Sequence, residues 1–237
     1  MKLLVSDYDG TYFTNEENII INNNYINKWR SDGNLFMLSS GRSFNSLKKM
    51  TEKYNIKYDY LSCCDGSILY DNKDNIIIKY DLNNIILNNF LNLKKYVKIE
   101  RIQYSYQDDY YPKRKKDSLI GCNLVILNEN ITDNFINKWN ELKINNSNYD
   151  FLDYKHDEIT YFCLKNKGIN KSTTVKFLEN KLNISYDNII IFGDNENDYV
   201  MLSNYQSYYI GEVEDKIKDV CIKGFNDVYE FFIETKE

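Results

Sequence analysis

The sequence predicts an α/β protein: a doubly wound, mostly parallel sheet interrupted by an inserted α+β unit. Short apolar strands alternate with helical segments near both ends of the chain, the pattern of a parallel sheet covered on both faces. Three of those strands run straight into polar clusters. Sites in open parallel sheets lie beyond the carboxyl ends of the strands, so the clusters should meet there. From about residue 83 to 160 the alternation changes, and the strands and helices are spaced as in a small unit of their own.

The elements follow in order. Residues 2–7 form an apolar strand that ends in Asp7-Tyr8-Asp9-Gly10-Thr11. An amphipathic helix covers 19–32 and stops near Gly33. Leu35-Phe36-Met37-Leu38 is a strand leading into Ser39-Ser40-Gly41-Arg42, and a helix follows over about 43–54 with Ser43 as its N-cap. Tyr58 to Cys64 is a strand, turned by Asp65-Gly66 into Ser67-Ile68-Leu69-Tyr70. The middle segment offers a helix over 83–96, the stretch Tyr104-Ser105-Tyr106, and a charged bend with a basic run, Lys113–Lys116. A strand around Cys122–Leu127, a helix over 132–142 and a strand near Ile159–Leu164 complete it. Lys171 to Leu182 is helical, with Val175, Leu178 and Leu182 along one face. Asn188 to Phe192 is a strand running into Gly193-Asp194-Asn195-Glu196-Asn197-Asp198, and a helix spans 197–204. Tyr208-Tyr209-Ile210 is a strand, and a helix from about Asp227 closes the sequence.

Composition narrows the function classes. A chain of 237 residues, 43% hydrophobic and 27% charged, can bury a sizeable globular core. A net charge of -5 gives no broad attraction to nucleic acid or to an anionic membrane surface. No apolar run approaches the ~20 residues of a spanning helix. Asp7 arrives too early for a signal-peptide core, and the five scattered cysteines read as reduced thiols, so a cytoplasmic location is expected. The 22 tyrosines and the asparagine runs need no explanation beyond genome base composition.

The residue types already suggest chemistry. In extended backbone, residues i and i+2 point to one side, so Asp7 and Asp9 are expected to converge just past the first strand. Two converging acids repel unless a cation or a proton separates them, and carboxylate oxygens suit Mg²⁺. Gly10 allows a sharp turn, and Thr11 is expected to bond the turn backbone. Taken singly, each cluster is also an ordinary loop or helix start. The single histidine, His156, lies apart from all of them, which leaves a Ser-His-Asp triad without support.

Taken together, four clusters in this order resemble the haloacid dehalogenase (HAD) superfamily: Asp7-Tyr8-Asp9-Gly10-Thr11, Ser40-Gly41-Arg42, Lys171, and Gly193 to Asp198. "GDNENDYVML", "KGINKS" and "DGSILYD" are similar to the motifs of its Cof-type phosphatases, whose large cap is inserted between the second and third motifs. The resemblance implies a Rossmann-like core at 1–82 and 161–237, with an α+β cap at 83–160. It implies a Mg²⁺-dependent phosphatase acting on a small phosphorylated metabolite, a sugar phosphate or a phosphorylated cofactor, through an aspartyl phosphate. Asp7 is then the nucleophile and Asp9 the acid/base. Lys171 neutralises the transferring phosphoryl, and Ser40, Gly41, Arg42 and Asn197 contact phosphate or substrate. The metal set is Asp7, Asp194, the main-chain carbonyl of Asp9, and Asp198, the last orienting Lys171 or a metal-bound water.

The sequence also departs from the family pattern. Tyr8 stands where an aliphatic residue is usual between the acids, Tyr12 where Leu is frequent, Ser40 for the commoner Thr, and Asp65-Gly66-Ser67 for Asn-Gly-Ala. The alternatives are a sugar phosphomutase, whose longer Gly-rich loop before N-D is missing here, and a catalytically silent binding protein on the same fold. Tyr104, Tyr106 and Lys115 are the first candidates for cap side chains that face a substrate.

Overall fold

The computed structural model describes residues 1–112 and 118–236. In chain order the elements are β1 (Leu3–Asp7), α1 (Glu16–Ser31), β2 (Leu35–Ser39), α2 (Phe44–Lys53), β3 (Tyr60–Cys63), β4 (Ile68–Asp71), β5 (Ile76–Lys79) and α3 (Asn84–Leu91). Next come β6 (Arg101–Ser105), β7 (Tyr110–Tyr111), β8 (Gly121–Leu127), α4 (Asp133–Asn145), β9 (Tyr149–His156) and β10 (Ile159–Asn166). The last are α5 (Lys171–Leu182), β11 (Ile189–Gly193), α6 (Tyr199–Asn204), β12 (Gln206–Ile210), α7 (Asp215–Lys218), β13 (Lys223–Phe225) and α8 (Val228–Thr235). They divide into two compact units, Met1–Ile78 with Asn170–Glu237, and Lys79–Ile169.

In the first unit the strands form one sheet in the order β13-β12-β11-β1-β2-β3-β4-β5. β1, β2, β3, β11, β12 and β13 pair in parallel, and β4 turns back antiparallel on β3. Every residue of β1 and β11 is buried, which explains their unbroken apolar character. Leu3, Val5, Ile189 and Ile191 point to one face, where they pack with Val175 and Leu178 of α5 and Met201 and Leu202 of α6. Phe192, one residue on, points to the other face and meets Phe231 of α8 at 5.3 Å between ring centroids. The sheet is therefore wound on both sides, as the alternation predicts. The register sets Asp7 beside Ser39 and Ser6 beside Phe192, so the polar clusters at the strand ends come level.

α1 begins at Glu16, three residues earlier than the apolar pattern predicts. The Asn15 side chain accepts from the Glu17 and Asn18 amides, and two glutamates in the first turn complement the helix dipole. These polar residues carry no hydrophobic period. α1 is tied to α8 by a buried carboxylate, Asp227. It accepts from Asn22 Nδ2 at 2.6 Å, Asn18 Nδ2 at 2.7 Å, the Val228 amide at 2.8 Å and the Thr14 hydroxyl. Asp227→Ala leaves these donors, two of them in buried bonds, without their acceptor and is expected to cost about 2–4 kcal/mol. Thermal melting checks this, while turnover per folded molecule stays at the wild-type value.

The second unit is an antiparallel sheet ordered β7-β6-β8-β10-β9 with α3 and α4 packed on it. Trp139 of α4 sits edge-on to Phe151 of β9 and Phe162 of β10, at 5.4 and 5.1 Å between centroids. The unit's boundaries differ from the expected 83–160. β10 pairs along its length with β8 and β9, so a cut at 160 would split a central strand, and the true limits are Lys79 and Ile169. β9 is absent from the sequence reading because "YDFLDYKH" buries only Phe151 and leaves its second half exposed. Tyr104 and Tyr106, the first candidates for substrate-facing side chains, are buried members of this unit's own core. Lys115 and the rest of the basic run lie outside the described residues. His156 ends β9 in an exposed position beside Asp157.

Candidate active site

The site is built at the carboxyl ends of β1, β2 and β11. Asp7, the last residue of β1, is buried, and its Oδ1 accepts from Lys171 Nζ at 2.5 Å. Lys171 is the first residue of α5, where the helix dipole disfavours a cation. Two carboxylates offset that cost: Asp7 and Asp198, whose Oδ1 lies 2.7 Å from Nζ. The helix start is fixed independently by Asn170, which accepts from the Ser172 amide, while its own amide donates to Thr173 Oγ1.

Asp198 is committed at both oxygens. Its Oδ2 accepts from the Asp194 and Asn195 amides at 3.1 and 3.2 Å, which closes the turn after β11. Gly193 permits this closure, since a Cβ there would stand 2.7 Å from the Asp198 Cβ. Asp194 Oδ1 accepts from Thr11 Oγ1 at 2.5 Å, so Thr11 orients a carboxylate across the site and does not bond its own turn. Gly10 has φ +87°, and a Cβ on it would lie 2.5 Å from Asp194 Oδ2.

Oxygens of Asp7, Asp194 and Asp198 lie within 4.8 Å of one another. These three carboxylates face one ammonium, Lys171, so the cluster carries excess negative charge in a largely buried place. Burial pushes the Asp7 carboxyl well above the usual range. Lys171 opposes that shift, and Asp198 and Asp194 add to it. Burial also raises Asp194, against its hydrogen bond from Thr11. At Lys171 burial acts downward, but the charges of Asp7 and Asp198 outweigh it and hold the ammonium above the ordinary lysine value. A hard cation relieves this repulsion, and the oxygen donors fit one.

Asp9 borders the same cleft as Asp7, as expected, but is held differently. β1 ends at Asp7, and the chain turns at once, with the Tyr12 amide donating to the Asp7 carbonyl at 3.1 Å. Asp9 thus lies beyond the extended backbone, and it shares a cleft with Asp7 without joining the acidic group. Its carboxylate is not in the acidic group; it is forked by Arg42, Nε to Oδ2 and Nη2 to Oδ1, each at 2.7 Å. Arg42, expected on phosphate or substrate, has its fork occupied by this carboxylate.

Ser40 is buried, and its Oγ accepts from the Arg42 amide at 3.1 Å. Ser43 precedes α2 as expected but makes no side-chain cap bond to it. Asn197 is exposed, with its Nδ2 3.4 Å from Asp65 Oδ1. Asp7, Asp9, Ser40, Gly41, Arg42, Asn195 and Asn197 line one cleft of about 290 Å³. Asn195 was not among the expected contacts; its signal lay in the same run as Asn197. Lys171 is buried and acts on the cleft through Asp7.

A doubly wound core that sets a strand-end carboxylate against a buried lysine and two further carboxylates defines a HAD-type hydrolase. The model of the haloacid dehalogenase-like hydrolase family matches residues 4–160 and 122–227, and the chain belongs to that family. An uncharacterized protein of Mycoplasma capricolum is 26% identical over 245 residues, covering 88% of each chain. Among solved structures, a protein of Thermotoga maritima superposes with a TM-score of 0.79 at 18% identity, over 100% of this chain and 97% of that one. A HAD subclass IIB sugar phosphatase gives 0.71 at 14% identity, over 100% and 99%. At these identities the likeness shows the fold. Among the described residues, no helix is long and apolar enough to cross a membrane.

Proposed function

We propose that the protein is a Mg²⁺-dependent phosphatase of a small phosphorylated metabolite, a sugar phosphate or a phosphorylated cofactor, working through an aspartyl phosphate on Asp7. The observation that carries this reading is Asp7 itself. It is a strand-end carboxylate held by Lys171 at 2.5 Å, grouped with Asp194 and Asp198, and bordering a polar cleft. The subclass IIB sugar phosphatase among the structural neighbours supports the substrate class.

Lys171 orients Asp7 and favours its ionised form against burial. A carboxylate oxygen of Asp7 attacks phosphorus, and the bond to the leaving oxygen breaks. Asp9 gives that oxygen a proton, then takes one from the water that hydrolyses the aspartyl phosphate, returning Asp7 and releasing inorganic phosphate. Mg²⁺ held by Asp7, Asp194 and the Asp9 main-chain carbonyl, with Asp198 holding Lys171, would supply positive charge against the repulsion between two anions. Ser40 and the neighbouring amides border the phosphate site, and Asn197 offers an amide at the cleft's edge.

EDTA is expected to abolish hydrolysis of an aryl phosphate, and Mg²⁺ to restore it. Ca²⁺ restores it poorly, because its looser coordination shell misaligns in-line attack. Asp194→Ala raises the Mg²⁺ concentration needed for half activation. Full turnover in metal-free buffer would contradict the assignment.

A further inference from the structure

The residue between the two acids is an aromatic that the HAD pattern does not call for, and its place in the fold gives it a task. Tyr8 is 1% exposed. Its ring stacks on Phe13 at 5.9 Å, with 18° between planes. Its other neighbour is the Arg42 guanidinium, whose carbon lies 5.4 Å from the ring centroid. The phenol oxygen is buried and has no hydrogen-bond partner among the described residues. The hydroxyl therefore contributes no bond, and what the side chain supplies is the face of its ring. Tyr8 also sits under a cation whose nitrogens are already committed. Nε and Nη2 hold the two oxygens of Asp9, and Nη1 donates to Ser46 Oγ at 3.2 Å.

A guanidinium fixed on three sides, by a ring face, a hydroxyl and a carboxylate, is a rigid mount for that carboxylate. Arg is suited to this because its planar fork stacks on an aromatic and pairs with a carboxylate at two points. Asp9 needs such a mount, because it lies past the end of β1 in a turn and its side chain is 51% exposed. We infer that Arg42, set over the ring of Tyr8, is a positioning residue for Asp9 and not a ligand of the transferring phosphoryl group. The inference rests on the phosphatase reading above.

The two roles for Arg42 have different kinetic signatures. In the proposed step the Asp9 proton passes to the leaving oxygen as the P–O bond breaks and its electron pair moves to that oxygen. An alkyl alkoxide needs this proton. A nitrophenolate leaves as a stable anion and hardly needs it. A phosphoryl ligand, in contrast, would matter equally for both esters and for inorganic phosphate.

The test follows release of the leaving alcohol in the first turnover, for an alkyl phosphate and for p-nitrophenyl phosphate, both with Mg²⁺. The first turnover is needed because the later hydrolysis of the aspartyl phosphate also uses Asp9 and is common to both esters. Inhibition by inorganic phosphate is added. For Arg42→Gln, the first-turnover rate on the alkyl ester is expected to fall by about 100-fold, the lower end of what general acid catalysis contributes. On the nitrophenyl ester the fall stays below about 5-fold, the small dependence expected where the leaving group needs no proton. The phosphate inhibition constant stays near wild type. Tyr8→Leu reproduces the same selective loss at about 10-fold, as a partial loss of the Asp9 mount. Tyr8→Phe, which keeps the ring face, restores the alkyl rate. Melting curves show whether each variant is folded, and Tyr8→Phe and Arg42→Gln carry the test if Tyr8→Leu is not. Equal losses on both esters, with weaker inhibition by phosphate, would overturn the inference by showing that Arg42 grips the phosphoryl group. A wild-type protein inert toward both esters would overturn the phosphatase reading, and this inference with it.

Discussion

Asp7→Asn is expected to leave a folded protein whose turnover of an aryl phosphate is reduced by at least about 10⁴-fold, the scale seen when a catalytic nucleophile is removed. The amide keeps the shape of the carboxylate and accepts from Lys171 Nζ through its carbonyl oxygen, so β1 and the cluster persist. What it lacks is the negative charge that attacks phosphorus. The loss appears in kcat, with inorganic phosphate still able to occupy the cleft. Steady-state kinetics alongside a melting curve separates this outcome from simple unfolding.

The second large effect concerns Lys171. Its ammonium is buried between Asp7 and Asp198. Lys171→Met keeps most of the volume and leaves both carboxylates without their counter-charge. Breaking a buried pair from one side costs about 3–5 kcal/mol. For a chain of this size each kcal/mol lowers the melting temperature by about 2–4 °C. Activity is expected to be lost as well, because Asp7 loses the group that orients it and favours its charged form. The sign of the pH dependence follows from Asp7. Burial already raises its carboxyl above the ordinary value, and removing Lys171 takes away the largest opposing influence. The folded variant then binds a proton that the unfolded chain has released, so its stability falls as pH rises and recovers as pH falls. The melting-temperature gap to wild type therefore narrows toward acid pH. A constant gap across pH would mean that the unpaired carboxylates are not the source of the loss.

What the sequence displayed, and what it concealed, follows from where each interaction is made. β1 and β11 were legible because strands buried on both faces must be apolar throughout. α5 was legible at both ends, Lys171 and Leu182, because it keeps an apolar stripe. The resemblance of the four clusters to the family's motifs implied that Asp7, Lys171, Asp194 and Asp198 form one group, and the structure brings these together. β9 was hidden because an antiparallel strand with half its length in solvent needs few apolar residues. The Asp9–Arg42 fork was hidden for another reason. It depends on how the chain leaves β1, and the extended-strand rule that joined Asp9 to Asp7 stops where the strand stops. The Asp227 anchor joins residues 14, 18 and 22 to the last helix, a pairing across more than 200 positions that local pattern cannot display. Tyr104 and Tyr106 misled because an aromatic in an inserted unit reads equally well as core or as contact surface.

The account's central claim is that phosphoryl groups pass through a covalent bond to Asp7. The most direct test is to quench the protein during turnover of an aryl phosphate with Mg²⁺, reduce with borohydride, and map the product by peptide mass spectrometry. An aspartyl phosphate is converted to homoserine by this treatment. The account predicts conversion at Asp7 in the peptide that contains Leu3 to Thr11, dependent on substrate, and none in Asp7→Asn. Conversion at another acid, or steady hydrolysis with Asp7 unmodified under conditions where hydrolysis of the intermediate limits turnover, would contradict it.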